Sequence, residues 1–318
     1  MENRRTFLKK VGAASLLAAM PMGNLLAEEL DSTQKITILH TNDQHSRIEP
    51  FEISEDERYS DKGGFARRAS LIQQIRKQEE NVLLLDAGDV FQGTPYFNFY
   101  GGELEFKLMT KMGYDAGTIG NHEFDNGLQG IKNQLPHAGF DIISSNYDFS
   151  NTILEGKIEP YQIYKKNGVR VGVFAVGIEL EGLVGKDMFG ETKYLDPTEI
   201  ATEMVQVLRN EKKCDLVICL SHLGYDYGKD SSKVSDVILA KNTTGIDLII
   251  GGHTHTFLPK PQEYQNKDGK TVLINQVGWG GLYLGRIDFY LQQGRLKSYT
   301  LYDLGDYEVN TSLSKSTV

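Results

Sequence analysis

The sequence is poor in cysteine, tryptophan and positive charge, and it has no long apolar run. Its two cysteines, Cys214 and Cys219, fall in one β-rich stretch, Cys214-Asp215-Leu216-Val217-Ile218-Cys219. Along a strand they are roughly 17 Å apart, far beyond the ~7 Å reach of a disulfide. A disulfide scaffold and a thiolate zinc site are both excluded, and the thiols are expected to be buried and inert. A net charge of −9 excludes a basic surface for non-specific nucleic-acid binding. The longest apolar run, Val11 to Met20, is too short and too rich in small residues to span a membrane, so no stable membrane anchor is expected. With no cysteine near it, a bacterial lipoprotein anchor is excluded as well.

What is present reads as an α/β protein. Apolar residues make up 40% and charged residues 24% of 318, enough for one large domain or two small ones with a sizeable core. Residues 1–27 read as a targeting segment. Asn3-Arg4-Arg5-Thr6-Phe7-Leu8-Lys9 resembles the twin-arginine export signal, the alternative being a general secretory signal with a chance arginine pair. Cleavage at Ala27 removes four basic and one acidic side chain, takes the net charge from −9 to −12 and implies a periplasmic protein. Residues 28–35 are expected to form a polar linker, 36–306 the folded domain and 307–318 a polar tail.

Strands are expected at Lys35–His40, Val82–Leu85, Phe140–Ser144, Val169–Ile178, Asp215–Leu220 and Ile246–Ile250. Phe65, Ala69, Ile72 and Ile75 recur at helical spacing, and further helices are expected over Glu103–Met112, Leu128–Leu135 and Ser232–Lys241. Asp196-Pro197-Thr198-Glu199 combines a capping side chain with proline at the first helical position, and Ile200, Met204, Val207 and Leu208 supply that helix's core face. Consecutive strands close the chain, with a hairpin turning at Gln293-Gly294. This order implies two packed mixed sheets with helices outside, a four-layer αββα sandwich.

Five strand signals end in groups able to bind a metal: Asp43 with His45, Asp89, Asn121 with His122, His222, and His253 with His255. Singly, each histidine reads more readily as a surface or capping residue. Jointly, loops at the carboxyl ends of strands in an open α/β sheet converge on one crevice. Asp-x-His and His-x-His place both side chains on one face of an extended segment. Imidazole and carboxylate donors without thiolate suit Mn, Fe or Zn. Two such ions on the order of 3.5–4 Å apart activate water and clamp a phosphoryl group.

These runs resemble the calcineurin-like metallophosphoesterases: Ile38-Leu39-His40-Thr41-Asn42-Asp43-Gln44-His45, Gly88-Asp89, Gly120-Asn121-His122-Glu123-Phe124-Asp125, Ser221-His222 and Gly251-Gly252-His253-Thr254-His255. Gly63-Gly64-Phe65-Ala66-Arg67-Arg68 and Asn121 to Gly127 are similar to the 5′-nucleotidase/UDP-sugar hydrolase branch. The resemblance implies two divalent ions, one on Asp43, His45, Asp89 and His255, the other on Asp89, Asn121, His222 and His253. It implies that His122, aimed by Asp125, stabilises the phosphoryl oxygens or the leaving group. Glu123 is read as structural, His40 as a hydrogen-bonded core histidine and Asn42 and Thr41 as supports of the ligands, while His137 carries no role.

Relatives of this branch carry a C-terminal domain that selects the nucleotide. The chain ends near the close of the catalytic domain, so a separately encoded C-terminal domain is expected as a partner. Trp279, Tyr283 and the loop Ser46 to Lys62 are expected to add contacts. The favoured expectation is an exported phosphomonoesterase acting on 5′-nucleotides. A phosphodiesterase or pyrophosphatase acting on cyclic nucleotides or UDP-sugars, and a metal-binding subunit needing a partner, are the alternatives.

Overall fold

Strands and helices intermix through most of the described residues, and strands alone close them. In the computed structural model, residues 34–229, 231–291 and 295–303 are described. The expected export segment, the linker before residue 34, the Gln293-Gly294 turn and the polar tail lie outside them. The order begins β1 (Gln34–Thr41), α1 (Phe65–Gln78), β2 (Val82–Asp86), α2 (Pro95–Tyr100), α3 (Glu103–Met112), β3 (Ala116–Thr118). It continues α4 (Gly127–Gln134), β4 (Asp141–Ile143), β5 (Tyr147–Asp148), β6 (Tyr161–Lys166), β7 (Val169–Gly177) and α5 (Lys186–Phe189). Then come β8 (Lys193–Tyr194), α6 (Pro197–Val205), β9 (Leu216–His222), α7 (Asp236–Asn242) and β10 (Leu248–Gly251). Four strands follow: β11 (Gln262–Gln265), β12 (Thr271–Asn275), β13 (Tyr283–Leu291) and β14 (Arg295–Asp303).

Two six-stranded sheets result, ordered β14-β13-β1-β2-β3-β4 and β11-β12-β10-β9-β7-β6. β1 to β4 run parallel, with β13 antiparallel to β1. In the second sheet β7, β9, β10 and β12 are parallel, and β6 and β11 pair antiparallel at the edges. Alternation along each buried strand divides its side chains between two cores. Ile36, Ile38, Leu83 and Leu85 join Val171, Val173, Ile218 and Ile250 in the layer between the sheets. Leu39 and Leu84 face the other way, onto Leu71 and Ile75 of α1 and Met109 of α3. Val217, Cys219 and Ile249 pack with Met204 and Val205 of α6 and Leu239 of α7. Each such side chain contributes about 1.5–3 kcal/mol on burial. The four layers are those expected, and both cysteines are buried free thiols.

Departures from expectation are local. The last predicted helix starts at Asp236 rather than Ser232, because Ser235 is extended and its hydroxyl accepts Ile238 N at 3.3 Å. α6 begins at Pro197 as the capping signal requires, but a π-helical turn over Gln206–Glu211 follows it. Ala201, Met204, Val205 and Leu208 face inward with Ile200 packed partly buried beside them, and Val207, within the π-helical turn, is half-buried. α2, β5, α5, β8 and β11 are additions to the expected elements. Among the described residues, no helix is long and apolar enough to cross a membrane.

The parallel strands of both sheets deliver their carboxyl ends to one edge. There β1 leads into Asp43, β2 into Asp89, β3 into Asn121 and β10 into His253, while β9 ends on His222.

Candidate metal centre

All seven predicted ligands meet in this crevice. Asp43, His45 and His255 offer donor atoms within 4.8 Å of one another, as do Asp89, His222 and His253. A third set, His45, Asp89 and His122, overlaps both and brings His122 closer to the donors than the sequence required. His222 Nε2 lies 3.0 Å from Asp89 Oδ2, and His255 Nε2 lies 2.9 Å from His45 Nε2 and 3.6 Å from Asp43 Oδ1. Asn121 Oδ1 is 2.8 Å from His253 Nδ1, and His122 Nδ1 is 2.8 Å from Asp125 Oδ2.

The backbone achieves this differently from the expected extended segments. Asp43, His45, Asp89, His253 and His255 all have φ between 48° and 73°. Left-handed backbone of this kind costs a non-glycine residue on the order of 1–3 kcal/mol, so surrounding contacts must hold it. They do so by linking one loop to the next. Asp43 N donates to Gly88 O at 2.9 Å, His45 N to Asp89 O at 3.1 Å, and His253 N to both carboxylate oxygens of Asp43 at 2.9 and 3.1 Å. Ligands two residues apart therefore share the crevice because the loops turn, not because a strand is pleated.

Burial and charge sort the titratable groups. Burial lowers His45, and lowers His253 and His255 to about 4, which leaves these rings neutral with lone pairs to offer. Burial also opposes charge on His222, but the contact with Asp89 outweighs it and raises His222 to about 10. Burial pushes Asp43 up, whereas Asp89, equally buried, is held below the usual carboxylate range by His222. An ion at His222 must therefore displace a proton. For His122, burial is outweighed by Asp89 and Asp125, and its imidazolium is favoured.

Glu123 shapes the centre without facing it. Its Oε2 accepts Asp89 N at 3.0 Å and Gly120 N at 2.6 Å, and its Oε1 accepts Val90 N at 2.8 Å and Phe91 N at 3.1 Å. Four backbone donors thus converge on one buried carboxylate and pin the Asp89 loop to the Asn121 loop. Asn42 supports Asp43 directly, donating to its Oδ2 at 2.6 Å, while Thr41 acts one layer further out, on Asp86 at 2.6 Å. His40 is fully buried, lies 3.1 Å from Asn275 Nδ2 and is lowered to about 3 by burial, as a core histidine should be. His137 stands 3.9 Å from Glu103. Trp279, expected near substrate, stacks on the ring of His255. The signal for it is a lone indole among Gly278, Gly280 and Gly281.

Three observations test whether ions fit these donors. His222 Nε2 is fully buried and, among the described residues, has no partner in hydrogen-bond geometry despite its contact with Asp89. Its Nδ1 lies 2.7 Å from the Ala87 carbonyl, and a proton held there leaves Nε2 as the donor. A Cβ on Gly120 would come within 2.2 Å of Asp89 Oδ1 and 2.7 Å of His222 Nε2, so glycine keeps that cradle open. The clustered histidine and aspartate donors fit divalent metal ions.

A family model for calcineurin-like phosphoesterases matches residues 36–257. The chain is 34% identical to the 5′-nucleotidase of Vibrio cholerae, across 92% of this chain and 56% of that protein. It is 32% identical to Protein UshA of Yersinia enterocolitica, across 91% of this chain and 55% of that protein. The chain therefore spans about half the length of these relatives. A crystal structure of a 5′-nucleotidase precursor from Thermus thermophilus superposes with a TM-score of 0.75 at 33% identity, covering 84% of this chain and 54% of that one. The calcineurin-like phosphoesterase YfkN from Bacillus subtilis gives 0.71 at 28%, covering 89% of this chain and 95% of that one. Family and geometry agree: the chain belongs to the calcineurin-like phosphoesterases, as a catalytic domain of the 5′-nucleotidase and UshA type.

Proposed function

We propose that this domain hydrolyses phosphate monoesters, 5′-nucleotides foremost, with two divalent ions. The observation that carries the proposal is that the donor sets Asp43, His45, His255 and Asp89, His222, His253 adjoin through a third, in which His45 and Asp89 meet His122, itself braced by Asp125. Asp43, His45, Asp89 and His255 would hold one ion, and Asp89, Asn121, His222 and His253 the other. Bound there, such ions supply Lewis-acid charge to phosphoryl oxygens and make water more acidic.

The protein's own part is orientation and proton handling. The Ala87 carbonyl fixes the His222 ring, and the backbone N–H of His253 fixes the Asp43 carboxylate. Asp125 occupies His122 Nδ1, which leaves Nε2 to face the ester. Water attacks phosphorus, the bond from phosphorus to the ester oxygen breaks, and a proton from His122 Nε2 neutralises the departing oxygen. The products are orthophosphate and an alcohol. The nucleotide preference is taken from the relatives named 5′-nucleotidase.

Phosphate release from AMP, a cyclic nucleotide, UDP-glucose and p-nitrophenyl phosphate tests the proposal. AMP should be hydrolysed fastest with Mn²⁺ present, and a chelator should abolish the rate until Mn²⁺ is restored. Faster turnover of the cyclic nucleotide would move the assignment to a phosphodiesterase. No turnover of any ester by metal-loaded protein would end it.

A further inference from the structure

Trp279 lies in the loop between β12 and β13, which supplies no metal donor. Its ring is parallel to that of His255, with an interplanar angle of 8° and centroids 5.6 Å apart, and its centroid lies 6.5 Å from that of His45. The backbone on either side is fastened to the Asp43 loop. Asn42 Oδ1 accepts Val277 N at 2.9 Å, Asn42 Nδ2 donates to Gly278 O at 2.7 Å, and Gly280 N donates to Asp43 O at 2.7 Å. The same Asn42 amide donates to Asp43 Oδ2. One loop is thereby tied to Asp43 through hydrogen bonds and to His255 through the indole.

The indole is itself braced. Phe51 and Tyr59 stack on one another at 5.4 Å and meet Trp279 at 5.4 and 6.2 Å. Gly280, at φ 61°, permits this approach, because a Cβ there would fall 2.8 Å from Phe51 Cζ. The loop from Ser46 to Lys62 thus reaches the metal centre through Trp279.

His255 is the ligand that needs such help. Its backbone is left-handed at φ 52°, and its side chain is 38% exposed. His222, in the other donor set, is fully buried and held by the Ala87 carbonyl. An imidazole as open as His255 can swing out of its donor set unless a surface covers one face, and the indole does so. Aromatic stacking limits that motion and adds an attraction beyond buried area.

We propose that Trp279 is a positioning residue for His255. It sets the affinity of the ion shared with Asp43 and His45 without touching that ion or the ester. The inference rests on the two-ion reading above and concerns one of its two sites.

Co²⁺ titration of metal-stripped protein tests it, followed by calorimetry, Co²⁺ absorption and the fluorescence of Trp279, the only tryptophan of the chain. Wild type should bind in two steps, one of which quenches Trp279. Trp279→Leu should weaken one step about tenfold or more and spare the other. Trp279→Phe, which restores a ring, should recover most of the loss. In a His255→Ala background, Trp279→Leu should add nothing, since the two residues act as one unit. Two unchanged steps in Trp279→Leu, equal weakening of both, or an undiminished effect in His255→Ala would each overturn the proposal. Wild type that binds no Co²⁺ would instead remove the two-ion reading on which it stands.

Discussion

His122 and Glu123 are neighbours with opposite tasks. The His122 ring is half-exposed and braced by Asp125, whereas the Glu123 carboxylate is buried under four backbone N–H groups. His122→Ala should lower turnover roughly 10²–10⁴-fold, the usual contribution of a positioned acid, while both ions stay bound. Rate measurements paired with metal analysis check this, and loss of an ion would show that His122 is a ligand. Glu123→Gln keeps the size but turns an NH₂ group toward two of the four donors. The unmet bonds should destabilise the fold by about 1–3 kcal/mol, read in a urea melt, and weaken metal binding through the Asp89 loop. The sequence places Glu123 beside the ligands and suggests a structural role. It does not reveal the partners, because Asp89, Val90 and Phe91 lie more than thirty residues away.

At the scale of elements, capping chemistry is the most readable signal. Asp196 Oδ1 accepts Thr198 N at 2.8 Å and Glu199 N at 2.9 Å, and Pro197 occupies the first helical position. Asp196→Ala should cost about 1 kcal/mol and lower the melting temperature by no more than about 4 °C, with no change in activity. A loss many times larger would mean that Asp196 does more than cap α6. The face of that helix is less readable, because nothing in its apolar spacing announces the π-helical turn at Gln206–Glu211. The metal loops follow the same rule. Their candidate donors are evident from residue type and position after strands, but the left-handed backbone at Asp43, His45 and His255 is imposed by contacts with other loops.

Across the whole molecule, the centre is also where the two sheets meet. His222 and His253 come from the second sheet, and Asp43, Asp89 and Asn121 from the first. An ion held across that seam binds only the folded chain, so at 100 times its dissociation constant it should stabilise the protein by about 2.7 kcal/mol. Calorimetry should record a fall in melting temperature of roughly 5 °C or more on chelation, reversed by Mn²⁺. An unchanged melting temperature would argue that neither ion bridges the sheets. The sequence by itself determined the four-layer order, the candidate donors and the family, because period-two burial, capping residues and polar groups at strand ends are local patterns. Tertiary structure alone decided which candidate donors lie within reach of one another, that Glu123 joins two loops and that Trp279 leans on His255. Those relations depend on contacts between segments remote in sequence, brought together only when both sheets present their carboxyl ends to one edge.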